Sequence, residues 1–388
     1  MGFVSMQYRT LGRQKRQVSI LGFGAMRFST RGGNDADVDT KMATSLLHAA
    51  IDGGVNYIDT AYVYHGGTSE QIVADALAVA DYRDRAIVAT KLPVWNVEKT
   101  VDFDRLLDEQ LKRLRTDRID FYLLHCLQGP NWADLCQLGL LEWCDRAERS
   151  GKIGELGFSF HDRYEVLEEI VSAREWSFCQ VQYNIVNEHT QGGTRGVELL
   201  RSKGVDVVVM EPLLGGTLAT PPAPIAELYK NAGMNPVDLS LRWLWENPAI
   251  SLLLSGMNSM DQLHQNLAIA DRAWDPGTPD VGRLTDAELA LIGEVQRMYE
   301  ELMPIACTKC RYCVPLCPQG VAIPDNLEMY SNAKVFGGNN FSLNRNLYWA
   351  IPESQRASSC VQCGECMTHC PQQLPIPELL GQVVELFH

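Results

Sequence analysis

Eight of the twelve cysteines stand in two runs late in the chain, and their spacing constrains the fold more than any other feature. Cys307, Cys310, Cys313 and Cys317 form one run, closed by Pro318; Cys360, Cys363, Cys366 and Cys370 form the other, closed by Pro371. This spacing wraps three thiolates around one face of an iron–sulfur cubane and projects the fourth towards a second cluster. The expectation is two 4Fe-4S clusters, one on Cys307, Cys310, Cys313 and Cys370, the other on Cys360, Cys363, Cys366 and Cys317. Structural zinc uses paired thiolates two residues apart, and two proline-closed repeats of four cysteines are hard to obtain that way. Cys126, Cys136, Cys144 and Cys179 are scattered and read as buried, inert thiols.

Upstream of the cysteines the pattern alternates. Short apolar runs rich in β-formers fall at 20–25, 55–58, 86–90, 119–124, 155–158, 178–181, 205–210 and 250–254. Helical periodicity fills 41–52, 70–80, 103–114 and 135–149 between them. Eight strands with crossover helices in about 250 residues predict a (β/α)8 barrel of the TIM type. A doubly wound sheet would need a glycine-rich phosphate loop after its first strand, and Gly22-Phe23-Gly24-Ala25-Met26 lacks the third glycine. Residues 6–19 read as a polar hairpin ahead of the barrel. The predicted division is a barrel over 1–282, a linking helix over 283–302 and a small, mainly helical ferredoxin-like domain over 303–388.

Forty-eight acidic against 34 basic residues leave a net charge of -14 over 388 residues. That sign repels phosphate backbones and acidic lipid headgroups, so neither nucleic acid nor a membrane surface is expected as a partner. No stretch of ~18 or more apolar residues marks a membrane span, and 1–10 carry no apolar signal core. The expected location is cytoplasmic. Residues 303–388 hold five basic and six acidic side chains, so nearly all the acid excess lies upstream.

The cysteine region resembles bacterial two-cluster ferredoxins, all eight ligands matching. The 42 residues between its runs are more like the helical ferredoxin-like modules of respiratory dehydrogenase subunits. The upstream region resembles the aldo-keto reductase family. The matching pieces are Asn56-Tyr57-Ile58-Asp59-Thr60-Ala61 with Tyr64, Ala89-Thr90-Lys91 and Asp120-Phe121-Tyr122-Leu123-Leu124-His125, followed by Gly157-Phe158-Ser159 and Gln180-Val181-Gln182-Tyr183-Asn184.

Reading one residue off six predicted strand ends gives Asp59, Lys91, His125, Ser159, Gln180 and Met210, where barrels keep their reactive groups. Hydride reduction of a carbonyl leaves an alkoxide that needs a proton. The resemblance implies Tyr64 as its donor, with Tyr62 as the alternative. A free tyrosine has a pKa of ~10, so a neighbouring cation must ease the transfer; Lys91 supplies it, Asp59 holds Lys91, and His125 orients the carbonyl.

The resemblance also implies a nicotinamide, NAD(P)(H). Ser159 and Gln180 would bind its carboxamide, Met210 would lie against its ring, and 213–217, with Leu213, Gly215 and Gly216, would cover its pyrophosphate. Gly256, Gln262 and Asn266 would meet the adenosine half. Phe160 stands where relatives carry a carboxamide-binding asparagine. No Lys or Arg lies between Ser255 and Asn266 to neutralise a 2′-phosphate, which leans the reading to NADH. Trp95, His161, Asp162 and Arg27 are candidates for the substrate pocket.

Nicotinamide gives up an electron pair, whereas a cluster takes one electron. No flavin signature is present, which leaves a flavin in the barrel mouth open. Three readings follow: a carbonyl reductase or alcohol dehydrogenase whose clusters conduct electrons to an external carrier, the same enzyme with structural or oxygen-sensing clusters, and a non-catalytic nicotinamide-binding module. The set Asp59, Tyr64, Lys91 and His125 argues against the last.

Overall fold

The computed structural model describes residues 6–31, 35–189, 191–274, 282–302, 305–336, 345 and 348–388. Two strands, β1 (Tyr8–Leu11) and β2 (Arg16–Ser19), pair as an antiparallel hairpin. Eight parallel strands then close a barrel: β3 (Leu21–Gly24), β4 (Tyr57–Asp59), β5 (Ile87–Leu92), β6 (Ile119–Leu127), β7 (Ile153–Phe160), β8 (Phe178–Gln182), β9 (Asp206–Met210) and β10 (Ile250–Ser255). Neighbours follow chain order, and β10 closes the ring between β9 and β3. Each of the eight apolar runs is a barrel strand. Parallel strands are covered on both faces, so their sequences read as unbroken apolar runs.

The hairpin caps one end of the barrel. Leu11 and Val18 join a core that contains Tyr57, Ile87, Phe121, Phe178 and Val208. Buried Glu155 accepts from the Arg13 and Gln14 amides at 3.2 and 2.7 Å, and Asp206 accepts from the Gly12 amide at 2.8 Å. These carboxylates satisfy turn amides that a covered barrel end would leave without water. The opposite end, at the strand C-termini, is thereby left for function.

The helical stretch expected over 135–149 is two helices, Gly129–Gln137 and Leu140–Arg149. Gly139 separates them with φ +82, a left-handed conformation that ends a helix at little cost only when no Cβ is present. The stretch expected over 70–80 ends earlier, as Ser69–Leu77, with a short helix Tyr82–Arg85 after it.

Contacts divide the chain into Met1–Leu213 with Val237–Leu284, and Leu214–Pro236 with Thr285–His388. This differs from the division expected from sequence. Residues 214–236 group with the cysteine region, and the helix Asp286–Leu302 is part of that unit rather than a separate link. The reason is packing between the helices Ala223–Asn231 and Asp286–Leu302, which bury Ile225, Tyr229, Leu291, Ile292, Val295 and Tyr299. The rest of the second unit is built on helices Ile323–Phe336 and Ile376–Phe387, whose core includes Val321, Ile323, Leu327, Leu380 and Val383. Fully buried Asn326 ties the start of its helix to residues 355–357: its Nδ2 donates to the Ala322 and Gln355 carbonyls and its Oδ1 accepts from the Ala357 amide. Among the described residues no helix is long and apolar enough to cross a membrane.

Candidate active site and cluster sites

Asp59 ends β4, Lys91 lies near the end of β5, and His125 lies near the end of β6, three adjacent strands of the barrel. Their side chains converge at the C-terminal end. Lys91 Nζ, fully buried, donates to Asp59 Oδ1 at 2.6 Å, to the Thr60 carbonyl at 2.8 Å and to Tyr64 Oη at 3.2 Å. Burial alone would discharge this lysine, but Asp59, followed by Tyr64, outweighs it and holds the ammonium charged. Burial raises the Tyr64 phenol and Lys91 opposes the rise, so the hydroxyl keeps its proton at neutral pH beside a cation that can stabilise its loss.

The His125 ring stands edge-on to Tyr64, centroids 5.9 Å apart, with Trp95 at 5.0 Å on another side. Burial pushes the His125 pKa well down, helped by Lys91 and then His161, so the imidazole is neutral. Its buried Nδ1 has no hydrogen-bond partner among the described residues. Tyr62, the alternative donor, has its hydroxyl against both Glu109 carboxylate oxygens at 3.1 Å and its ring under Arg113 at 3.8 Å. The lysine contact belongs to Tyr64.

Three features around this group escaped the sequence. His65, buried with φ +54, stacks on Phe28 and bonds at its two nitrogens to the Phe28 amide and the Asp35 carbonyl, which fixes the turn carrying Tyr64. Behind Lys91, buried Glu70 accepts from Thr90 and Gln110 at 2.7 Å each, and Gln110 donates on to the Lys91 carbonyl at 3.0 Å. Gln110 and Arg113 are three residues apart on one helix and so face Glu70 together; that spacing was the available signal. The third is Glu211, directly after β9.

Glu211 has φ +55, rare for a residue with a Cβ, and Asn184 Nδ2 holds its carbonyl at 3.1 Å. Its Oε2 is buried with no hydrogen-bond partner among the described residues. Burial, opposed by Arg27, pushes its pKa from 4.5 up to about 7. A carboxyl raised in the fold contributes its full stability below its ordinary value of 4.5 and loses it as pH rises through about 7. Glu211→Gln should therefore flatten the fall in melting temperature between about pH 4.5 and 7, read by thermal unfolding at a series of pH values; parallel curves would refute the assignment.

The remaining barrel residues fall as follows. Ser159 Oγ accepts from the Cys126 amide at 2.7 Å, so its proton is left to donate. Gln180 Nε2 touches Met210 Sδ at 3.4 Å, while its Oε1 is buried without a partner among the described residues. One free donor and one free acceptor match a primary carboxamide. Phe160 is buried and offers no such bond. Gln262 accepts from the Asn258 amide at 2.9 Å and Asn266 donates to Ser255 Oγ at 2.8 Å, so both first hold their own loop. Leu213 ends the first stretch of the barrel unit, whereas Gly215 and Gly216, at φ +65 and +101, are counted with the second unit. Asp162 accepts from the Gly129 and Arg163 amides at 2.8 and 2.7 Å. His161 is buried and neutral, its pKa pushed by burial to about 4. Trp95 is 46% exposed beside His125.

In the second unit the eight cysteines surround two cavities. One is lined by Cys307, Cys310, Cys313 and Cys370, the other by Cys317, Cys360, Cys363 and Cys366. The fourth cysteine of each run thus faces the cavity of the other run. Among the described residues no three His, Cys, Asp or Glu converge as the ligands of a single metal ion would. Four thiols around each cavity are the number of ligands that one 4Fe-4S cubane takes.

Residues 20–276 match the profile of the Aldo/keto reductase family, two-thirds of the chain. The chain belongs to that family. Residues 306–374 match a 4Fe-4S dicluster domain. This aldo/keto reductase is 26% identical over 327 residues to Protein tas of Escherichia coli, covering 68% of this chain and 92% of that one. Its fold is similar to that of aldo-keto reductase AKR11C1 from Bacillus halodurans in the holo form, with TM-score 0.62, 24% identity, and coverage of 75% and 96%. A Klebsiella pneumoniae aldo/keto reductase solved with NADP and acetate matches with TM-score 0.59 at 23% identity, over 76% and 96%.

Proposed function

We propose that the barrel is an NAD(P)H-dependent carbonyl reductase or alcohol dehydrogenase, with Tyr64 as its proton donor, and that the cysteine unit carries two 4Fe-4S clusters, which take one electron each when the nicotinamide's electron pair is not spent on a carbonyl and pass them singly to an external carrier. The observation that carries the barrel reading is the Lys91 ammonium bridging Asp59 and Tyr64. A bound nicotinamide supplies hydride to the carbonyl carbon. Tyr64 Oη delivers a proton to the carbonyl oxygen, and the adjacent Lys91 charge stabilises the phenolate left behind. Neutral His125 donates one hydrogen bond to that oxygen and orients it. Ser159 and Gln180 hold a carboxamide by the donor and acceptor they leave free. The substrate is a small carbonyl or alcohol presented to Tyr64 and His125, with Trp95 beside them. An aldo/keto reductase of similar fold crystallised with NADP supports the cofactor class, and the lack of Lys or Arg from Ser255 to Asn266 favours NADH.

A second reading, structural clusters, has its own support. Cys313 and Cys366 are buried members of the unit's hydrophobic core, where a cluster would serve as a staple. Anaerobic titration of the cluster-loaded protein with NADH separates the two. Bleaching of the broad absorbance near ~400 nm is the result expected for a conduit. Unchanged absorbance, with iron content verified, would leave the staple.

A further inference from the structure

Arg27 lies three residues beyond β3, on the same barrel end as Tyr64. Because β10 runs between β9 and β3, the residues following these strands, Glu211, Gly256 and Arg27, come together in one sector of the mouth. The Arg27 stem lies on Gly256: a Cβ there would stand 3.0–3.2 Å from Arg27 Cβ, Cγ and Cδ. No positive φ demands glycine at 256. What the glycine provides is room for this arginine to cross the end of β10. Among the described residues no hydrogen bond or ion pair occupies the guanidinium, which is exposed, and the anionic group that feels it is the buried Glu211 carboxyl. An arginine given room across a neighbouring strand, with its fork left open, is arranged to receive an anion from outside.

We propose that Arg27 is the residue that grips a phosphate of the dinucleotide, reaching across Gly256 to supply the positive charge that the stretch from Ser255 to Asn266 lacks. This rests on the nicotinamide reading above. The dinucleotide offers two such groups, the pyrophosphate of both coenzymes and the 2′-phosphate of NADPH. Either pairs with a planar guanidinium through two parallel hydrogen bonds. Glu211 sets a limit on the affinity, because in its ionised form it competes for the same charge.

The test is equilibrium dialysis of the cluster-loaded protein, Arg27→Gln and Arg27→Lys against NADH and, separately, NADPH. Loss of a charged hydrogen bond should weaken binding to Arg27→Gln by about 10–100-fold, and Arg27→Lys should recover part of it. Equal loss for both coenzymes assigns the pyrophosphate; loss confined to NADPH assigns the 2′-phosphate. Unaltered dissociation constants in Arg27→Gln, with the parent protein binding normally, overturn the assignment alone. Failure of the parent protein to bind either coenzyme overturns the nicotinamide reading and the assignment with it.

Discussion

Tyr64→Phe is expected to lower kcat for carbonyl reduction by about 10²–10⁴-fold, or ~3–5 kcal/mol of barrier, while the affinity for reduced coenzyme stays within about twofold. The substitution removes one oxygen, and the ring should keep its edge-on position beside His125. Lys91 retains two of its three acceptors, Asp59 and the Thr60 carbonyl, so its charge stays paired. Steady-state turnover and a separate coenzyme titration check the two halves of this expectation. Turnover that persists at the parent rate would remove Tyr64 as the acid, and Tyr62 could not replace it without leaving Glu109 and Arg113.

Removing the iron is expected to have an effect of comparable size on the other unit. After anaerobic chelation, amide hydrogens of helices Ile323–Phe336 and Ile376–Phe387 should exchange rapidly while the barrel strands stay protected. The two cysteine-lined cavities also draw on Ile323, Leu327, Ile376 and Leu380, which belong to the unit's core. If the cysteines hold the proposed clusters, the core is shared with their ligands, and such an assembly holds much of its folding free energy in the metal. Hydrogen exchange read by mass spectrometry on the loaded and stripped protein decides it. Protection that survives stripping would show that packing and the Asn326 bonds suffice, and would take away the ground for a staple.

The barrel was legible because each strand is buried on both faces and therefore spelled as an apolar run, with a polar residue set at its end. Asp59, Lys91 and His125 were found by that polarity, and Tyr64 through the family's spacing. The support behind them was not legible. Glu70 and Gln110 lie on helices about 40 residues apart in sequence, and their meeting depends on how those helices pack on β5. Glu211 sits in an apolar stretch where a lone charge reads as an interruption. Its importance comes from burial and a left-handed backbone, neither of which has a sequence period. The break at Gly139 was missed because apolar spacing continues across it, although the glycine itself was the signal. The grouping of 214–236 with the cysteine unit escaped for a similar reason: a loop between two barrel strands carries no mark of where its helix will pack.

That grouping orders events on the ribosome. The segment Leu214–Pro236 is synthesised before β10, yet the helix it packs on, Asp286–Leu302, follows the last barrel strand. Ile225 and Tyr229 therefore wait, uncovered, while Val237–Leu284 emerges and the ring of strands closes. A fragment started at 285 would lack one of its own walls, and one stopped at 284 would carry an orphaned apolar helix. Any single cut therefore leaves one of the two units incomplete.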